Sequence, residues 1–105
     1  MDLEFRHGGM VARVDGDVIE IFGTRGCSHR YLLSALRVEV QPGSFKGELV
    51  IRSTSDPAER PLYELYAKRG YVQGEVEAVI PIAEEPVYRQ FFTQVAQLCG
   101  RSVAA

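Results

Sequence analysis

Leu36, Val38 and Val40 alternate with Arg37, Glu39 and Gln41 along 36–41. A period of two sends the first set to one face of a strand and the second to the other. This stretch therefore predicts a half-buried antiparallel strand, and Pro42-Gly43 stops it. Similar short runs mark Met10–Val14, Asp17–Phe22, His29–Leu33, Gly47–Arg52, Leu62–Ala67 and Glu75–Ile82. In 47–52 the pattern turns Leu49 and Ile51 inward and Glu48, Val50 and Arg52 outward. In 75–82 it turns Val76, Ala78, Ile80 and Ile82 to the core and Glu75 and Glu77 to water. Tyr63 and Tyr66 fall on opposite faces of a regular strand, so one of them is exposed. Asp15-Gly16 is a strong two-residue hairpin signal, and Ser34-Ala35 allows a short break. Pro81 has no N–H, so the last strand ends there or lies on an edge. Leu3 and Phe5 alternate with charges, as an added edge strand would, until Gly8-Gly9 breaks the pattern.

The period then lengthens. In Pro86–Cys99, PVYRQFFTQVAQLC, apolar residues fall at Val87, Tyr88, Phe91, Phe92, Val95, Leu98 and Cys99. Spacings of three, four and seven predict a helix with one broad apolar face. Pro86 suits the first turn, Glu84 and Glu85 complement the positive end of the helix dipole, and Gly100 suits the left-handed stop. Its length is about 21 Å at 1.5 Å per residue. The expected fold class is mainly β with one C-terminal α-helix: seven antiparallel strands in a bent sheet or partly open barrel, one end covered by the helix. Every strand neighbour is close in sequence, so each connection can be a hairpin or short turn.

A chain of 105 residues fits one domain, 1–105 with a core of about residues 10–100. It is long enough to bury a core without a metal or disulfide staple. The net charge of −2 argues against general nucleic-acid binding. No apolar run is long enough to span a bilayer, and MDLEFRHGG lacks the apolar stretch of a signal peptide. The expected compartment is the cytoplasm, with Cys27 and Cys99 as free thiols.

Candidate chemistry is sparse. Arg25, His29 and Arg30 surround the 23–28 loop, with Lys46 and Arg52 as possible neighbours in the fold. A cluster of this kind suits a phosphate or an acidic peptide, because arginine presents a planar fork of donors; the plainer reading is a solvated loop with scattered charges. Cys27-x-His29 is too few ligands for zinc. Ser28 and His29 are strand neighbours whose side chains diverge, so they are not a catalytic pair. No phosphate-binding or dinucleotide glycine pattern occurs. The expectation is therefore no catalytic residue, no metal and no cofactor.

The hairpin VARVDGDVIEIF (11–22), the broken pair of strands RYLLSALRVEV (30–40) and the glycine-started strand GELVI (47–51) together resemble the short bacterial members of the pleckstrin-homology-like superfold. The resemblance covers roughly Met10 to Gly100. It implies two nearly orthogonal sheets, of four and three strands, capped by one C-terminal helix. It also implies an interaction or scaffold module that binds a protein partner or self-associates, with peptides adding beside strand 47–52. Members that bind phosphoinositides carry a long basic loop between the first two strands; here that loop is Asp15-Gly16-Asp17, tight and acidic. Binding of anionic phospholipid headgroups through Arg25 and Arg30 is the alternative expectation. A small-ligand carrier in the barrel mouth is a third, and the few small residues on the inward faces weigh against it.

Overall fold

The computed structural model describes residues 3–23, 26–56, 61–66 and 76–104. The chain opens with four strands, β1 (Leu3–His7), β2 (Met10–Asp15), β3 (Val18–Phe22) and β4 (Ser28–Leu32), which form an antiparallel meander in the order β1-β2-β3-β4. The alternating Leu3 and Phe5 do make an edge strand, and Gly8-Gly9 is the two-residue turn that joins it to β2. Gly8 holds φ +58° there, and a Cβ at this position would sit 2.7 Å from the Tyr88 hydroxyl. The expected tight hairpin forms, but its two turn residues are Gly16 and Asp17 rather than Asp15 and Gly16: Asp15 pairs with Val18, and Gly16 takes φ +64°.

The second sheet contains β5 (Leu36–Pro42), β6 (Glu48–Ser55), β7 (Tyr63–Leu65), β8 (Val76–Pro81) and β9 (Val103–Ala104), in the order β8-β6-β5-β7-β9. The described residues thus carry nine strands in two sheets rather than seven in one bent sheet, and the sheets do not close into a barrel. The expected all-antiparallel, neighbour-to-neighbour topology also fails at β7. This strand crosses to the far side of β5 and pairs with it in parallel, and β9 pairs in parallel with β7. β5 is therefore central, and its first five residues, polar ones included, are buried. Arg37 and Glu39 do not face water as the alternation predicts.

Both sheets turn their inward positions into one core, from Met10, Ala12, Val14, Ile19 and Ile21 on the first to Val38, Val40, Leu49, Ile51, Ala78 and Ile80 on the second. Val50 is buried although it points away from that core, whereas Val79, opposite it in register, is exposed. Tyr63 is buried and Tyr66 exposed, as the odd spacing requires. Pro81 ends β8, itself an edge strand, which satisfies both options for a residue without an N–H. Ile82, expected inside, begins a 3-10 turn (Ile82–Glu84) and is exposed.

Helix α1 (Glu85–Cys99) begins one residue before Pro86 and ends at Gly100, which adopts φ 69° and returns its N–H to the last turn. Its buried residues are Glu85, Tyr88, Phe91, Phe92, Val95 and Ala96, while Val87 and Leu98 lie at the exposed rim. The helix touches both sheets. Phe91 stacks on Phe5 of β1 with ring centroids 4.7 Å apart, and Phe92 stacks on Tyr63 of β7 at 5.7 Å. After the helix, Arg101 donates to the carbonyls of Leu33 and Leu36 and Ser102 accepts the Leu62 N–H, which lays β9 along β7. No helix among the described residues is long and apolar enough to cross a membrane.

Candidate functional site

The outer face of the first sheet carries a ladder of opposite charges. Register places Glu4 opposite Arg13, Arg13 opposite Glu20, and Glu20 opposite Arg30, one residue from each strand in turn. Directly opposed residues in antiparallel strands have Cβ atoms about 4.5–5.5 Å apart, close enough for opposite charges to attract. The Arg30 Nε donates to Glu20 Oε2 at 3.1 Å. Arg13, Asp15, Val18, Glu20 and Arg30 line a depression of about 320 Å³ on this face. Phe22 and Leu32 are both exposed on the same face, in the neighbouring cross-strand rows. The face thus mixes paired charge with apolar side chains.

The residues picked out by sequence are spread across the molecule. Arg25 lies outside the described residues. His29 and Arg30 occupy opposite faces of β4: the His29 ring sits 4.7 Å from that of Tyr31, whereas Arg30 joins the outer ladder. Lys46 is exposed in the turn between β5 and β6. Arg52 points out from the second sheet, where its Nε donates to Glu77 Oε2 at 2.9 Å and Nη1 to Gln41 Oε1 at 3.2 Å. The outer faces of two sheets that share a core point apart, so Arg30 and Arg52 do not converge on one ligand. β6 is hydrogen-bonded on both sides, to β5 and β8. A peptide therefore has no edge to join at 49–52, and among the described residues the outermost strands of the sheets are β1, β4, β8 and β9. Cys27 is exposed just before β4, and Cys99 is half-buried against the core with its thiol 3.3 Å from the Val95 carbonyl.

Two further clusters were not visible in the sequence. On the outward face of β5, Arg37 donates through Nη2 to Glu64 Oε2 at 2.7 Å and Glu39 Oε2 at 3.4 Å, and through Nη1 to the Pro61 carbonyl at 2.9 Å. Arg37 and Glu39 are each 1 % exposed. At the start of α1, His7 Nε2 lies 2.6 Å from Glu84 Oε1, and the Tyr88 hydroxyl donates to the His7 carbonyl. The Tyr63 hydroxyl donates to the buried Glu85 at 2.6 Å, with Arg89 Nη2 3.5 Å from the other carboxylate oxygen. Apart from Arg37–Glu39 and Glu85–Arg89, these contacts join residues more than twenty positions apart, and those of His7, Tyr63 and Tyr88 tie the helix start to β1 and β7. They hold the fold together. No group of three or more His, Cys, Asp or Glu residues among those described is arranged to hold a metal ion.

Burial is the main cause that raises the Tyr63 hydroxyl above its ordinary pKa, with Glu85 adding to it. Burial also raises Tyr88, with Glu84 adding to it. In the unfolded chain both titrate near 10. A group whose folded pKa is raised contributes stability that is fully present below the unfolded pKa and is lost as pH climbs from there through the folded pKa. The protein should therefore lose stability above about pH 10, and Tyr63 and Tyr88 should ionise at higher pH in the folded protein than in the unfolded chain. A tyrosinate absorbance titration alongside circular dichroism checks this. Full ionisation of all tyrosines near pH 10 with the fold intact would contradict it.

No family model, no curated protein and no solved structure matches this chain.

Proposed function

We propose that this protein is a non-catalytic, pleckstrin-homology-like interaction module that binds a protein partner or a second copy of itself. The carrying observation is the outer face of the first sheet. Its strands present three acidic residues (Glu4, Asp15, Glu20) and three basic ones (Arg6, Arg13, Arg30), interleaved and accompanied by exposed Phe22 and Leu32. Such a face has no net charge to draw it to an anionic bilayer. Its mixture of opposed charge and apolar area suits a protein surface of matching pattern. Support for the fold reading comes from element order: β1 to β4 form an antiparallel sheet, β5, β6 and β8 form an antiparallel set of three, and the helix follows. β7 and β9 are additions to that plan. The carrier reading loses ground because the space between the sheets is occupied by fully buried Met10, Ile19, Ile21, Leu36, Leu49 and Ile51.

The test is co-sedimentation with anionic liposomes at low and high salt, with light-scattering mass and capture of partners from the source cell in parallel. The expected result is no salt-sensitive pelleting, together with a mass above that of the 11.7 kDa monomer or a specifically retained protein. Salt-sensitive pelleting that is lost in Arg25→Ala/Arg30→Ala would replace this reading with lipid binding. A monomeric mass with no retained protein would overturn it.

A further inference from the structure

The edge of β1 is complementary to itself. The two-residue turn at Gly8-Gly9 makes His7 and Met10 exchange both backbone hydrogen bonds, the only pattern such a tight hairpin permits. Alternation then directs the amides and carbonyls of Leu3, Phe5 and His7 at β2, and those of Glu4 and Arg6 away from it. Among the described residues, nothing bonds to those outward groups. The side chains of Glu4 and Arg6 are exposed on the outer face, while Leu3, Phe5 and His7 remain half-buried on the inner one.

We infer that β1 is a homodimer edge: it pairs antiparallel with β1 of a second copy about a two-fold axis at Phe5, joining two four-stranded sheets into one of eight. This deepens the proposed interaction function, naming the partner and the surface, and rests on that reading. With Phe5 opposite Phe5, Glu4 of each copy faces Arg6 of the other. Both are the residues whose backbone groups point outward, so the two Glu4–Arg6 pairs are also the hydrogen-bonded pairs of the new ladder. Backbone phase and charge therefore agree at the same register. A one-residue slip would oppose two outward Arg6 or two outward Glu4 residues, or lose the hydrogen bonds. On the inner face the contact covers Phe5, whose ring already stacks on Phe91 and meets Tyr88 edge-on at 5.3 Å.

The other edges are poorer candidates for self-pairing. β4 sends Ser28, Arg30 and Leu32 outward and carries no acidic residue, so its two-fold pairing at the centre would oppose two arginines. β8 ends in proline, and β9 has two residues. A five-residue edge is small beside the roughly 1,200–2,000 Å² of a standard interface, so the dimer should be weak and concentration-dependent.

The test is complementation between charge variants, read by sedimentation velocity from micromolar to millimolar protein. Wild type should approach twice 11.7 kDa at the upper end. Arg6→Glu opposes acidic residues at both pairs, and Glu4→Arg opposes basic ones. Each should weaken dimerisation by about tenfold or more. Mixed together, the two variants restore opposite charge at both pairs and should form a heterodimer. Circular dichroism of each variant checks that the fold is retained; Arg6 faces Val11 across β2, and among the described residues Arg6→Glu breaks no ion pair. Dimerisation undiminished in both variants would place self-association on another surface, overturning this inference while the interaction reading stands. Open-ended polymers would point to head-to-tail β1–β4 pairing and overturn it too. A wild type monomeric at millimolar concentration would overturn the homodimer and leave the partner-capture experiment to decide the broader reading.

Discussion

Arg37→Ala is expected to destabilise the protein by about 3–5 kcal/mol, the usual cost of removing one partner from a buried ion pair. The guanidinium bonds to Glu39, and it also holds Glu64 and the Pro61 carbonyl. Glu39 is buried, with Oε1 already lacking a hydrogen-bond partner. Without Arg37 the buried carboxylate loses the guanidinium that bonds to it, which leaves its desolvation less compensated. At about 4–8 °C per kcal/mol for a domain near this size, the melting temperature should fall by more than about 10 °C. Glu64→Gln should be far milder, since that carboxylate is 28 % exposed and water substitutes for much of the interaction. Arg37→Met/Glu39→Met should recover much of the loss, because an apolar pair of similar length leaves no unpaired buried charge. A small effect of Arg37→Ala, measured by thermal and urea denaturation, would mean that the guanidinium does not stabilise Glu39.

Phe92→Ala should cost about 3–5 kcal/mol through lost burial and the cavity left behind. Phe92 is fully buried. Its ring stacks on Tyr63 and meets Phe91 edge-on at 5.1 Å, and Phe91 in turn stacks on Phe5. This row of rings runs from β7 in the second sheet, through the helix, to β1 in the first. Truncating Phe92 cuts the row at the helix, so the helix should lose hydrogen-exchange protection along with the global stability. Leu98→Ala, at the exposed rim of the same helix, should stay within about 0.5 kcal/mol. Equal costs at the two positions would show that the helix does not join the sheets through this contact.

The two variants separate two kinds of information. Phe92 was legible as a core residue because three- and four-residue spacing on a helix identifies its buried face. Arg37 was misread as solvent-facing. Its alternation with Leu36 and Val38 is that of a strand with one wet face, and period two reports which side a residue takes, not what lies on that side. On the outward side Arg37 meets Glu64 of β7 and the Pro61 carbonyl, more than twenty residues on, a contact that depends on β7 pairing beside β5. The charge ladder was hidden for the same reason. Glu4, Arg13, Glu20 and Arg30 lie on four separate strands, and only their register brings them into one row. The basic cluster read from the 23–28 loop weighed closeness in sequence, whereas pleating sends His29 and Arg30 to opposite faces.

Local chemistry alone determined a tight hairpin at Gly16, one residue later than Asp15-Gly16 implied, the alternating strands on either side of it, the core faces of 76–80, and a helix stopped by Gly100. These follow from φ preferences, side-chain period and capping, which act within a few residues. The tertiary structure alone decided that β7 crosses to pair in parallel with β5, that β9 follows it after the helix, and that β1 is an outer edge. Those outcomes depend on contacts between residues tens of positions apart. A strand's pattern states which face it buries but does not name its neighbour, so strand order emerges only when the two sheets and the helix close on one core.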